Sequence, residues 1–172
     1  MSLIIGVRCK DGCLVVADYR NRIETEGIVS FEDNFEKVVK QDDYLLYNCG
    51  YNRIEDEDWK LRCKELTPDD SNPIYEDILR EMKLKSDKSA LYVFISKDIL
   101  YEIVVRVGRG VEGIDHLPND RIVSGTGGKY IDDQKDLKLL ENLWKRKCGK
   151  VYSSLRETFK HAYFRMSFAS GS

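Results

Sequence analysis

The sequence predicts a layered α+β domain, an αββα arrangement in which antiparallel sheets pack face to face with helices outside them. Two observations predict it. Apolar runs of strand length alternate in blocks with longer stretches of helical spacing, in the order strands, helices, strands, helices. The links between successive strands are also too short for the crossovers that parallel strands need, so neighbours run antiparallel. At 172 residues of ordinary apolar content, a single domain over residues 1–172 with its own core is expected.

The chain opens MSLIIGVRCKDGCLVVADYRNR. Residues 3–7 and 13–17 are short, β-branched runs, and Asp11-Gly12 between them supplies the positive-φ positions of a tight hairpin. The second strand runs into Asp18-Tyr19-Arg20. Residues 23–31, with Gly27 in the middle, read as another strand or an extended crossing. Lys37 and Lys40 then bracket a β-branched pair, and residues 44–49 (YLLYNC) form a strongly apolar strand ending at Gly50. With the opening hairpin, these pieces are expected to make a first sheet.

From residue 53 the character changes. Glu55 to Asp58 is an acidic run of the kind that forms a solvated face, and Trp59, Cys63 and Leu66 are spaced for a short helix. Thr67-Pro68 and Asn72-Pro73 are cap-then-proline pairs. Ile74, Ile78, Leu79 and Met82 mark one face of a helix reaching about Lys85. Residues 90–96 and 99–107 form a second hairpin across Lys97-Asp98. Residues 108–120, with three glycines, a proline and His116, read as loop, and 121–124 as a short strand entering Gly125-Thr126-Gly127-Gly128. Two helices are expected to close the chain. The first carries Leu137, Leu140, Leu143 and Trp144. The second starts from the capping box Ser154-x-x-Glu157 and runs through Met166.

Composition narrows the function classes. A net charge of −2 without a long basic stripe argues against nucleic acid as a partner. No apolar run has the length of a membrane span and no leader pattern is visible, so a cytoplasmic protein without membrane contact is expected. The five cysteines (Cys9, Cys13, Cys49, Cys63, Cys148) are scattered without a disulfide pattern, and with only His116 and His161 to join them no metal site is expected. Gly125 to Gly128 lacks the Lys-Ser/Thr ending of a phosphate-binding loop. No cofactor is expected.

One candidate chemistry lies at the amino terminus. Methionine before a small residue is ordinarily removed, which would leave Ser2 with a free α-amine of pKa about 8. Such an amine is partly neutral at pH 7 and serves as base for its own hydroxyl, the N-terminal form of the activated nucleophile.

Three stretches, SLIIGVRCKDGCLVVADYR, NFEKVVKQDDYLLYNCG and IVSGTGGKYI, carry a resemblance. They resemble the proteasome β-subunit and its bacterial relatives among the N-terminal-nucleophile (Ntn) hydrolases. The family opens with a nucleophile, β-branched residues, a Lys-Asp-Gly turn and an apolar strand ending Ala-Asp-x-Arg. The resemblance implies a four-layer αββα Ntn-hydrolase sandwich, here lacking the final strands of one sheet, which would leave an edge for another element or subunit to cover. It implies Ser2 as nucleophile, Asp18 as the acidic residue of the catalytic set, and Lys37 as its lysine. Gly50 would be the oxyanion-hole N–H, with Tyr51 as the neighbouring alternative, and Thr126 would stand where relatives keep a serine near the terminal amine. Relatives also carry Asp-x-x-Ser at the end of the last long helix, where this chain has Met166 and Ala169, with Ser167 and Ser170 one residue away.

The implied activity is amide-bond cleavage of a polypeptide through an acyl-enzyme, in a homo-oligomeric ring, with an ATPase partner left open. Lys37 would lower the pKa of the α-amine by like-charge opposition, and Asp18 would hold Lys37 charged. Taken singly, each residue has a plainer reading. Asp18 would be a strand-end partner of Arg20 or Arg22, Lys37 a surface lysine, and Gly50 and Gly125 to Gly128 turns. Two other outcomes stay open: a catalytically silent interaction subunit on the same fold, and a transpeptidase using the same intermediate.

Overall fold

The structure, a computed structural model, describes residues 3–25, 27–32, 35–51, 53–54, 57–58, 63–85, 89–116, 120–126, 128 and 164–170. Ser2, Trp59, Gly127, Cys148, His161, the stripe Leu137 to Trp144 and the capping box at Ser154 lie outside the described residues.

The opening hairpin forms as the sequence predicts. β1 (Ile4–Cys9) and β2 (Gly12–Asp18) pair antiparallel, with Cys9 opposite Gly12 and Ile4 opposite Ala17. Their neighbours come from far along the chain. β12 (Arg121–Ser124) pairs with β1, and β13 (Phe164–Ser170) pairs with β2, giving the order β12-β1-β2-β13.

The second sheet contains β5 (Val38–Lys40), β6 (Leu45–Gly50), β9 (Ser89–Ile95), β10 (Leu100–Arg106) and β11 (Gly110–Asp115), in the order β11-β10-β9-β6-β5. Between them in sequence stand two separate hairpins. β3 (Asn21–Thr25) pairs with β4 (Ile28–Glu32), and β7 (Arg53–Ile54) pairs with β8 (Glu57–Asp58). Every pairing is antiparallel.

Period-2 alternation divides the core into two layers. Leu45, Tyr47, Cys49, Val93, Ile95 and Leu100 of the second sheet meet Ile4, Cys13, Val15, Ala17 and Ile122 of the first. On the other face, Leu46, Ala90, Tyr92, Phe94, Ile103 and Val105 meet the helix α1 (Pro73–Lys85) through Tyr75, Ile78, Leu79 and Met82. Residues 45–49 and 92–95 are therefore buried on both faces, which is why they read as unbroken apolar runs. α1 begins as its sequence signals. Asn72 accepts a hydrogen bond from Ile74 N–H at 3.1 Å, and Pro73 occupies the first helical position, where no N–H is needed.

The four-layer αββα Ntn-hydrolase sandwich is not what the structure shows. Among the described residues it is mostly antiparallel β-sheet with one α-helix. The helix expected about Trp59 to Leu66 is, where described, a single 3₁₀ turn, Cys63–Glu65, and the short β7–β8 hairpin stands ahead of it. The end of the expected last helix is β13, so the edge of the first sheet beyond β2 is occupied by a strand of this chain. Apolar spacing over so few residues does not separate helix from strand, and long-range pairing decides.

Two further expectations are corrected. Residues 108–120 contain the strand β11, and residues 23–31 form a hairpin turning at Gly27 rather than a member of the first sheet. The single first sheet expected from residues 3–49 is divided, because β5 and β6 join the second sheet.

Burial raises the phenols of Tyr47, Tyr75 and Tyr92 above their ordinary value. A raised acid pKa keeps protons on the folded state that the unfolded chain releases, so the slope of stability with pH is negative there. The denaturation midpoint is expected to be insensitive to these groups up to about pH 9 and to fall steadily above about pH 10. A urea series across that range checks it, and a flat profile would contradict the burial of the phenols.

Candidate functional site

Asp18 closes β2 with its carboxylate facing the start of the chain. Its Oδ1 accepts a hydrogen bond from Leu3 N–H at 2.7 Å, and its Oδ2 one from Lys37 Nζ at 2.7 Å. Asp18 N–H donates in return to Leu3 O at 3.1 Å. Lys37 is not on the surface. It is 6% exposed, in the stretch entering β5, and its carbonyl accepts from Asn48 N–H at 3.2 Å. The ion pair thus ties the end of β2 and the first described residue of the chain to the opposite sheet.

Gly50 ends β6 at φ +88°, and a Cβ there would run into Ser89 O. Both facts require glycine. Tyr51 N–H donates to Ser89 O at 3.0 Å, which makes 51/89 a hydrogen-bonded pair of the β6–β9 ladder. Two residues back, Cys49 is in phase with it, so the carbonyl of Cys49 faces β9. The next N–H, that of Gly50, points the opposite way, toward the side where Lys37 lies. Tyr51 N–H is engaged with Ser89, which leaves Gly50 as the candidate donor of the two.

Beside this corner a cleft of about 650 Å³ opens between the two sheets. That volume suits a peptide side chain and its flanking backbone. Cys49, Gly50, Leu91 and Glu102 line it from one sheet, and Ser124 and Thr126 line it from the end of β12. Tyr47 Oη and Ser124 Oγ, 3.3 Å apart, join the two walls below it.

The candidate residues therefore fall into two groups. Asp18 and Lys37 are brought together with the Leu3 backbone. Gly50 and Thr126 face each other across the cleft. Cys49 connects the groups: it lines the cleft, and its thiol feels the charges of Lys37 and Asp18. Burial pushes that thiol up to about 12, with Lys37 opposing and Asp18 and Glu102 adding to the rise.

Sequence reasoning missed Glu102 and its neighbour His116. His116 Nε2 stands 3.4 Å from Glu102 Oε2, close enough to pair in charge but out of line for a hydrogen bond. Burial raises the Glu102 carboxyl above its ordinary value, with His116 pulling in the opposite sense. The signal was in the sequence, as an acidic residue at the alternate, inward position of the run ILYEIVVRV. Among the described residues no group of three or more His, Cys, Asp or Glu is gathered as a cation cage. No helix among them is long and apolar enough to cross a membrane.

No family model matches this chain, and no curated protein does. Solved structures are similar in fold. The Gly-1 mutant of Anbu from Hyphomicrobium sp. strain MC1 superposes with a TM-score of 0.55 at 7% identity, over 99% of this chain and 82% of that one. Anbu from Yersinia bercovieri, described as an ancestral beta-subunit, gives 0.53 at 12% identity over 98% and 81%. At such identities the likeness is one of fold, proteasome-like in kind, and carries no catalytic function with it. The membership of the proteasome β-subunit family implied by the opening stretches is corrected accordingly. A few short motifs in register produced that resemblance, and the chain as a whole matches no family model.

Two outcomes are expected from this geometry. Gly50→Ala lowers stability by about 1–3 kcal/mol, through strain at positive φ and the clash with Ser89 O. Its urea midpoint reports the loss, and an unchanged midpoint contradicts the assigned conformation. In the folded protein at pH 8, alkylation of Cys49 is expected to be at least about a hundredfold slower than in the unfolded chain. Peptide mapping after a timed iodoacetamide pulse measures this, and equal rates would contradict it.

Proposed function

We propose that this protein cleaves amide bonds of polypeptides with Ser2, freed of what precedes it, as an amino-terminal nucleophile. The observation that carries the reading is the meeting of Lys37, Asp18 and the Leu3 backbone. A buried ammonium–carboxylate pair stands one residue from the proposed nucleophile. Buried pairs of this kind are poor sources of stability, because desolvation offsets most of their attraction. A pair retained at the start of the chain has a better rationale as an electrostatic device.

In the reaction, Ser2 Oγ attacks the substrate carbonyl carbon and its proton passes to the α-amine of the same residue. The positive charge of Lys37 holds that amine neutral at working pH by opposing a second protonation nearby. Asp18, bonded to Lys37 Nζ, holds the lysine in its orientation. The Gly50 N–H receives the developing oxyanion, a contribution that is large where water is excluded. Collapse of the intermediate returns the proton to the leaving amine and leaves an ester on Ser2, which water then hydrolyses. Thr126, which lines the cleft, would hydrogen-bond the terminal amine or the water in this reading.

Intact-mass analysis after incubation with a β-lactone tests the proposal. One adduct per chain is expected on Ser2, absent in Ser2→Ala. Lys37→Ala is expected to slow labelling by about a hundredfold or more at neutral pH. Labelling that survives Ser2→Ala would overturn the nucleophile, and labelling unchanged by Lys37→Ala would overturn the role of the lysine.

A further inference from the structure

The cleft has an end of its own chemical character, and nothing in the reaction above uses it. Rows of side chains across the second sheet form its floor. Cys49, Leu91 and Val104 make one row, and Tyr47, Val93 and Glu102 the next. Beyond apolar Leu91, Val104 and Val123, the inner charged group is Glu102, whose side chain is 16% exposed. Its one charged partner among the described residues is His116, 3.4 Å away and out of line for a hydrogen bond. A carboxylate held in such a place is short of a counter-charge.

We propose that Glu102 selects lysine or arginine at the residue whose carbonyl is attacked, with the side chain laid along the cleft floor and its cationic head on the Glu102 carboxylate. This rests on the reading of the cleft as the substrate site. Reach supports it. Glu102 lies two strands over and three residues along from Gly50, roughly 14 Å between backbones by strand spacing and rise. A carbonyl on the Gly50 N–H leaves a gap that only the longest side chains span.

The apolar floor suits the methylene stem of such a residue, and the buried end suits its charge. Arg22 and Arg106 also line the cleft and would favour an acidic side chain. Both are solvent-exposed, where water and salt weaken their pull, whereas Glu102 acts from the less hydrated end.

The test has two arms on the full-length chain. In the first, kcat/KM is compared for peptides that differ only in Lys, Arg, Leu or Glu at the cleaved residue. Lys and Arg are expected to exceed Leu and Glu by about tenfold or more, and Glu102→Gln to bring the ratio of Lys to Leu close to one. In the second, NMR titration of Ser2→Ala compares Nα-acetyl-lysinamide with its uncharged isostere Nα-acetyl-norleucinamide, which needs no change at Glu102.

Selective lysinamide binding without hydrolysis of any peptide would keep the pocket and remove the hydrolase. Hydrolysis with a preference for Leu or Glu would keep the hydrolase and remove the pocket. Equal affinity for the two amides overturns the assignment of Glu102, and selectivity that persists in Glu102→Gln assigns it to another group.

Discussion

The ion pair between Lys37 and Asp18 fixes how the two halves of this molecule meet. Asp18 belongs to the first sheet and Lys37 to the segment entering the second, and the same carboxylate holds the backbone of Leu3. Removing charges from water is unfavourable by several kcal/mol per ion, and good geometry recovers that only in part. Here the geometry is good, with both carboxylate oxygens engaged at 2.7 Å. The net gain in stability is small, and the gain in definition is large. The backbone at Leu3 is given a single position against the opposite sheet.

That anchor produces a site assembled from backbone as much as from side chains. With Lys37 fixed, its carbonyl takes the N–H of Asn48 and sets the phase of β6. That phase carries through Cys49 to Gly50 and decides which N–H groups face β9 and which point to the side of Lys37. Gly50 then turns the chain at an angle no other residue would accept beside Ser89 O. The corner is determined by sheet register, and a slip of one residue would turn every side chain of β6 to the wrong face.

Local chemistry made much of this legible in the sequence. Lys97-Asp98 marks a real hairpin turn and Asn72-Pro73 a real helix start. The first turn is Lys10-Asp11, one residue ahead of Asp11-Gly12, with Gly12 already in β2. Asp18, Lys37 and Gly50 are picked out by the resemblance that the stretches holding them carry; Asp18 and Gly50 end β2 and β6, and Lys37 stands just before β5. The architecture was less legible, because its decisive pairings join residues far apart in sequence. β1 to β12 and β2 to β13 leave no local trace, so Phe164 to Ser170 reads equally as helix or strand. β11 was hidden for another reason. Gly113 suggests a loop, yet Tyr101 and Asp70 occupy the space its Cβ would need, and Asp70 accepts a hydrogen bond from its N–H. A glycine in a strand can mark close approach rather than a break.

The corner also contains a thiol. Cys49 lines the cleft next to Gly50 and within the field of Lys37, an arrangement that in water-exposed surroundings would lower a thiol pKa. Here burial outweighs the lysine, and the pKa moves up to about 12. No imidazole is available to take its proton among the described residues, since His116 is turned to Glu102 on a different strand. A thiol that stays protonated is an inert part of the wall. The ammonium of Lys37 beside it is bonded to Asp18, 2.7 Å away.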